Sequence, residues 1–135
     1  MPTNTERTSI KVAAERAVLV AVHLPGGRHD PRDPLGELAS LARTAGAEVV
    51  AEMIQNRQRP EVGAYIGSGK LEELKELCES ADASLVIFDN DLSPSQIGNI
   101  EKTLHRKVID RSELILDIFA SRATTQEAKA QVELA

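Results

Sequence analysis

The amino-acid sequence predicts an α/β fold. It is a four-stranded parallel sheet, strand order 2-1-3-4, with helices on both faces and the start of a long C-terminal helix. Three observations carry this expectation. Short Val-, Leu- and Ile-rich runs alternate with longer segments whose apolar residues recur at helical spacing. The runs Arg16–His23 and Ser84–Asp89 are apolar almost without alternation, as suits strands covered on both faces. The connections are short and punctuated by Gly and Pro, and such alternation builds a parallel sheet with right-handed crossovers.

Taken in order, residues 1–15 are polar and aperiodic and read as a flexible arm. RAVLVAVH, residues 16–23, is the first strand, and LPGGRHDPRD is a loop. Asp33-Pro34 offers a cap and a first-turn proline for a helix carrying Leu35, Leu38, Ala39, Leu41 and Ala42, which Gly46 ends. Residues 47–56, with mixed alternation, form an edge strand. After a connection containing Pro60 and Gly63, residues 68–80 form a helix with Leu71, Leu74, Leu77 and Cys78 on one side. The third strand follows at 84–89. Ser93-Pro94-Ser95-Gln96 is a capping box opening a helix with Ile97, Ile100 and Leu104 inward. Gly98 inside that helix costs about 1 kcal/mol relative to Ala, and nothing in the sequence explains it. KVID, residues 107–110, is a short fourth strand. Asp110–Glu113 is a second capping box, for a helix with Leu114, Ile115, Ile118 and Phe119 on its apolar face. Thr124–Glu127 is a third, opening a helix still in progress at Ala135, as if more protein normally follows.

Composition narrows the function. The 135 residues suit one domain, and with Tyr65, Phe88 and Phe119 as the only Phe, Tyr or Trp residues the core is aliphatic. The net charge of −5 is the wrong sign for a domain that binds nucleic acid through bulk charge. The single cysteine, Cys78, excludes an internal disulfide, fits a reducing compartment, and sits among leucines as a buried thiol would. The N-terminus lacks the apolar core of a secretory signal, and the run at residues 17–22 is too short to span a bilayer. The chain reads as soluble and cytoplasmic.

The stretch YIGSGKLEEL, residues 65–74, has the look of a phosphate-binding loop. A Walker A loop requires G-x-x-x-x-G-K-[ST], the last hydroxyl holding magnesium. Here Gly69-Lys70 are in place, but Ala64 stands where the first Gly belongs and Leu71 where the hydroxyl belongs. A more general role survives, since a helix N-terminus with a nearby cation holds anions. Gly67, Ser68, Gly69 and Lys70, with Arg28, Arg57 and Arg59 from loops at the same edge of the sheet, are the candidate anion- or RNA-phosphate-binding residues. The fold places any ligand site at the carboxyl edge between the first and third strands, where the strand order reverses.

No catalytic constellation or metal site is legible. Asp89-Asn90-Asp91 resembles the phospho-acceptor region of receiver domains. The acidic pair such sites need after the first strand is replaced by His23 and Leu24, and the lysine after the last by Asp110 and Arg111. His23, His29 and His105 have no carboxylate or thiol at metal-ligand spacing. A further basic group, Arg106, Lys107, Arg111 and Arg122, lies toward the end. The scarcity of aromatics argues against base stacking and leaves phosphate and shape as the RNA features to be read.

YIGSGKLEEL, VIFDNDLSPSQIGNIE and VIDRSELILDIFASRATTQEAKAQVELA together resemble the N-terminal domain of HflX-type ribosome-associated GTPases, collinearly from about Arg16 to Ala135. Gly98 departs from the polar or charged residue that pattern has. The resemblance implies an α/β domain at residues 16–122, with residues 123–135 the truncated first helix of a helical coiled-coil subdomain. It implies an accessory, non-catalytic role in this chain: binding the large ribosomal subunit, through ribosomal RNA and protein, and modulating a GTPase domain that follows in the full-length protein. Such GTPases split stalled or stressed ribosomes. GTP and magnesium would belong to that missing GTPase domain, and no cofactor is implied here. The alternative is an independent ATP-binding domain centred on the Gly67–Lys70 turn.

Overall fold

The computed structural model of the chain describes residues 12–27 and 29–134, with side chains as far as residue 123. The elements are β1 (Arg16–His23), α1 (Gly36–Thr44), β2 (Glu48–Asn56), α2 (Ser68–Ser80), β3 (Leu85–Phe88), α3 (Pro94–Leu104), β4 (Lys107–Asp110) and α4 (Arg111–Leu134). The strands form a sheet in the order β2-β1-β3-β4, every pairing parallel. The expected strand order and the helices on both faces are therefore what the chain adopts.

The alternation of side chains along each strand sorts the apolar residues into two layers. Val18, Val20 and Val22 of β1, Val86 and Phe88 of β3 and Val108 of β4 face α2 and α3. Leu71, Leu74 and Cys78 of α2, and Ile97, Ile100 and Leu104 of α3, close that layer. On the other face Ala17, Leu19 and Ala21 of β1, Leu85 and Ile87 of β3, and Ile109 of β4 meet Leu38, Ala39 and Ala42 of α1 and Leu114 of α4. β1 and β3, central in the sheet, are apolar on both sides for this reason. β2 at the edge is only partly covered, which accounts for its mixed sequence.

The N-terminal segment is partly structural. Residues 1–11 of the expected arm lie outside the described residues, but Val12 is buried and the Ala14 N–H donates to the Gly46 carbonyl at 2.9 Å. Gly46 holds φ +91°, and a Cβ there would crowd Ala13, so this turn after α1 requires glycine. Glu15 accepts from the Ser84 hydroxyl and pairs with Lys107 at 3.3 Å.

Two expected helix starts are corrected. Asp33 does not cap α1; its carbonyl accepts the Gly36 N–H at 3.1 Å in a preceding turn. Leu35 is the residue before the first helical one, with no side-chain cap, and its side chain is buried. Thr124–Glu127 does not open a new helix either. Residues 111–134 are one continuous helix, since no Gly or Pro interrupts them and two threonines disfavour helix only mildly. The expected boundary after residue 122 falls inside it. On the same helix Phe119, expected on the packed face, is 61% exposed, as is Leu116 at 66%.

Candidate functional site

The carboxyl ends of the four strands lie along one edge of the sheet, and the loops leaving them build its rim. After β2 the chain makes a small hairpin, with Glu61 and Tyr65 exchanging both backbone hydrogen bonds at 3.0 Å. Tyr65 holds φ +70°, a left-handed conformation uncommon for a large side chain. The hairpin is pinned to α3 by Gln96, which donates to the Val62 carbonyl at 3.2 Å, and by Asn99, which donates to the Gly63 carbonyl at 2.8 Å. Ile66, buried, anchors the return, and the chain enters α2 at Gly67.

Gly67 is the N-cap of α2, in extended backbone, and among the described residues no side chain caps the helix. Its own N–H donates to Gln55 Oε1 at 3.2 Å. The first-turn N–H groups of Ser68, Gly69 and Lys70 therefore carry the positive end of the helix dipole toward the rim. A Cβ on Gly67 would lie 2.9 Å from Arg57 Nη1, so the absence of a side chain lets the guanidinium rest against the helix entrance. Arg57 also donates from Nε to the Arg59 carbonyl at 3.0 Å and from Nη2 to Glu61 at 3.3 Å. Lys70 pairs with Glu73 at 3.0 Å, one turn on.

The structure thus gathers Gly67, Ser68, Gly69, Lys70 and Arg57 at one point of the rim, with Arg59 joined through its carbonyl. Arg28 lies outside the described residues. Both clustered cations already have a carboxylate partner, so the site is less positive than the sequence suggests. Leu71, where a Walker A loop has its magnesium-binding hydroxyl, is instead in the core beneath α2.

The acidic loop after β3 is committed to structure. Asn90 makes a two-way bridge to the Val22 backbone, at 2.8 and 2.9 Å. Asp91 accepts from the Ser112 hydroxyl at 2.8 Å, and Asp89 pairs with Arg111 at 3.4 Å. Arg111 also pairs with Glu37, and that hydrogen bond and charge hold its guanidinium above its usual pKa. Buried Asp110 accepts from the Leu92 N–H at 3.1 Å and caps α4 through the Glu113 N–H at 3.0 Å. These contacts give each of the carboxylates a partner within the fold. Among the described residues no three His, Cys, Asp or Glu side chains group as metal ligands do.

Two other basic residues are structural. Arg106 donates to the Ala83 and Leu104 carbonyls at 2.8 Å, and Lys107 pairs with Glu15. The Cys78 thiol is buried, and burial pushes its pKa up, which disfavours the thiolate. No helix among the described residues is long and apolar enough to cross a membrane.

Among the described residues, two cavities open on the rim. One, of about 290 Å³, lies at the strand-order reversal, where a ligand site was expected, and is lined by Asp30, Asp33, Glu37, Asp89 and the tied Arg111. The other, of about 370 Å³, lies between the ends of β1 and β2 and is lined by His23, Leu24, Pro25, His29, Asn56, Arg57 and Gln58. His29 borders both. Its ring stacks on His23 at 3.7 Å between centroids, 12° from parallel. Sequence reading did not find this pair. The signal was two histidines flanking one Pro-Gly loop, but which rings a loop brings together is not a local property.

A sequence model of the family described as GTP-binding GTPase N-terminal matches residues 32–120. The chain is 49% identical over 131 residues to the GTPase HflX of Lacrimispora saccharolytica, covering 97% of this chain and 31% of that one. It is 44% identical over 123 residues to the GTPase HflX of Escherichia coli, covering 91% of this chain and 28% of that one. Among solved structures it resembles a GDP complex of a protein called SsGBP, with TM-score 0.61 and 28% identity over 88% of this chain and 33% of that one. A GTP-binding protein of Sulfolobus solfataricus in complex with GDP is similar over 78% of this chain and 30% of that one, with TM-score 0.56 and 25% identity. The chain spans about a third of the length of these relatives.

Proposed function

The chain belongs to the family of GTP-binding GTPase N-terminal domains, and from that premise we propose that it is the accessory domain of an HflX-type GTPase that docks on the large ribosomal subunit. In this reading a GTPase domain of the same protein binds GTP and magnesium and hydrolyses the nucleotide. The present domain contributes ribosome contact and modulates that hydrolysis, in the cytoplasm, in the splitting of stalled or stressed ribosomes. The observation that carries the reading is the collinear likeness to GTPases named HflX over nearly the whole chain. Hydrolysis is not assigned to this domain, because the position that would hold magnesium beside Lys70 is Leu71, a core residue.

The contact follows from the rim. An RNA phosphate at the entrance of α2 would meet first-turn N–H groups of Ser68, Gly69 and Lys70 without first displacing a capping side chain. Lys70 would turn from Glu73 to the phosphate, exchanging one half-exposed ion pair for another at little cost. Arg57, held against Gly67, would supply a second donor. Such a contact positions the domain on RNA but carries no sequence information. Co-sedimentation of the full-length protein with large subunits in the presence of a GTP analogue tests the reading. Binding is expected, and its absence would remove the ribosomal role.

The uncapped α2 entrance favours one second reading, a nucleotide phosphate bound by the Gly67–Lys70 turn itself. Calorimetry of the chain with ATP and with GTP, against Lys70→Ala, separates the two. Heat of binding that the variant loses supports nucleotide binding, and no heat at high protein concentration ends it.

A further inference from the structure

The proposed ribosome contact uses phosphates at the α2 entrance, yet the rim also carries a flat ring pair and a cavity that phosphate contacts leave unused. The 370 Å³ cavity between the ends of β1 and β2 is at the small end of ligand-pocket sizes. Its polar lining holds amides beside the one guanidinium, Arg57. Arg57 is tied to Glu61 and to the Arg59 carbonyl, while Asn56 and Gln58, both exposed, present amides that can donate and accept at once. Amides of this kind pair in two-point fashion with the edge of a base. The His29 ring is exposed even though one of its faces lies on His23. Beneath it, His23 Nε2 is buried and has no hydrogen-bond partner among the described residues. That arrangement leaves the inner ring as a backing plate behind His29. Burial, and then the neighbouring His29, lower the His23 pKa, so the backing ring is neutral at neutral pH, with Asp89 the opposing influence.

We propose that the His23–His29 stack is a docking platform for one unpaired base of an RNA strand, which adds to the His29 ring and meets Asn56 and Gln58 at its edge. This deepens the ribosomal reading and rests on it for the source of the strand. Single-stranded RNA is read by stacking unpaired bases on aromatic side chains, histidine included. The platform supplies a stacking surface in a chain where Phe, Tyr and Trp are scarce. It lies beside the α2 entrance, because Arg57 borders both the cavity and Gly67. A base on His29 and a phosphate at Gly67–Lys70 would then belong to one strand crossing the rim.

The test uses a short single-stranded RNA containing one 2-aminopurine, whose fluorescence reports stacking, titrated with the chain at low salt. A saturable change in fluorescence is expected. His29→Ala should weaken it by about fivefold or more, and Asn56→Ala should weaken it less. His29→Phe, which keeps a flat ring and removes the imidazole, should retain it; a thermal melt of each variant confirms that it is folded. No fluorescence change with wild type, or equal binding by wild type and a folded His29→Ala, overturns the platform. Equal affinity for the free 2-aminopurine riboside overturns the strand as its source. Because the probe is an oligonucleotide, failure here with intact co-sedimentation of large subunits removes the platform and leaves the ribosomal reading standing.

Discussion

α2 and α3 lie side by side on one face of the sheet, and both begin at its carboxyl edge from a residue in nearly the same extended conformation. The N-cap of α2 is Gly67 at φ −65°, ψ 154°, and that of α3 is Ser93 at φ −73°, ψ 157°. At Ser93 the helix closes on itself. The hydroxyl accepts the Gln96 N–H at 3.1 Å, the Gln96 side chain accepts the Ser93 N–H at 2.9 Å, and Pro94 occupies the first turn. At Gly67 no side chain among the described residues closes it, and a guanidinium lies where a side chain would be. The same backbone thus carries a closed capping box in one helix and a glycine without a side-chain cap in the other. In the proposed reading the phosphate contact is marked by what a helix entrance lacks.

The core should not distinguish the two helices. Leu74 and Ile100 are both fully buried under their helices. Leu74→Ala and Ile100→Ala are each expected to cost about 2–5 kcal/mol in urea denaturation. A marked inequality would show that one helix is docked less firmly than the packing indicates.

The entrances should then separate them. Ser93→Ala removes the hydroxyl half of the box and is expected to cost about 1 kcal/mol. Gly67→Asp adds a capping carboxylate beside Arg57, the guanidinium being the flexible end of a side chain that can shift. Its stability effect is expected within a few tenths of a kcal/mol, while its negative charge should oppose any phosphate. Unfolding midpoints of the pair check the contrast.

Gly98 sharpens it further. A Cβ there meets nothing within 4 Å, and the position is exposed in mid-helix. Gly98→Ala should therefore stabilise by about 0.5–1 kcal/mol, read from the same melts. The glycine unexplained in the sequence stays without a structural role, unlike Gly67.

The smallest effect comes from pH. The folded state holds His23 neutral through burial, so the unfolded chain binds the extra proton below its ordinary pKa of 6.5. The His23 contribution is complete above that value and declines as pH falls through it. Glu15 is held below its ordinary 4.5 by the Ser84 hydroxyl and, against the opposing effect of burial, by Lys107. Its contribution is present above 4.5 and is lost at lower pH as the folded group titrates. Denaturation midpoints measured between about pH 7.5 and 5.5 should fall less steeply in His23→Gln than in wild type.

Much of this was legible from the chain. Periodicity located every element: β1, α2 and β4 have the expected bounds, β1 as a continuous apolar run and α2 from the glycine turn at its start. The Ser93 box was legible because its partners are three residues apart. Asp33 misled because burial of Leu35, a tertiary effect, delays the helix. Thr124–Glu127 misled because a capping pattern inside an unbroken helical run has no work to do. At the rim, Gly67–Lys70 could be named from sequence. The carboxylates that neutralise Arg57 and Lys70, and the histidine stack, depend on how loops fold back over the edge.

The most direct test is the salt dependence of binding to large ribosomal subunits, for the full-length protein and its Gly67→Asp variant. Phosphate contact at an uncapped helix entrance predicts affinity that falls steeply with salt, and a variant that binds more weakly with a shallower slope. Binding that is independent of salt, or that is unchanged by Gly67→Asp, would contradict the assignment of the α2 entrance as the contact.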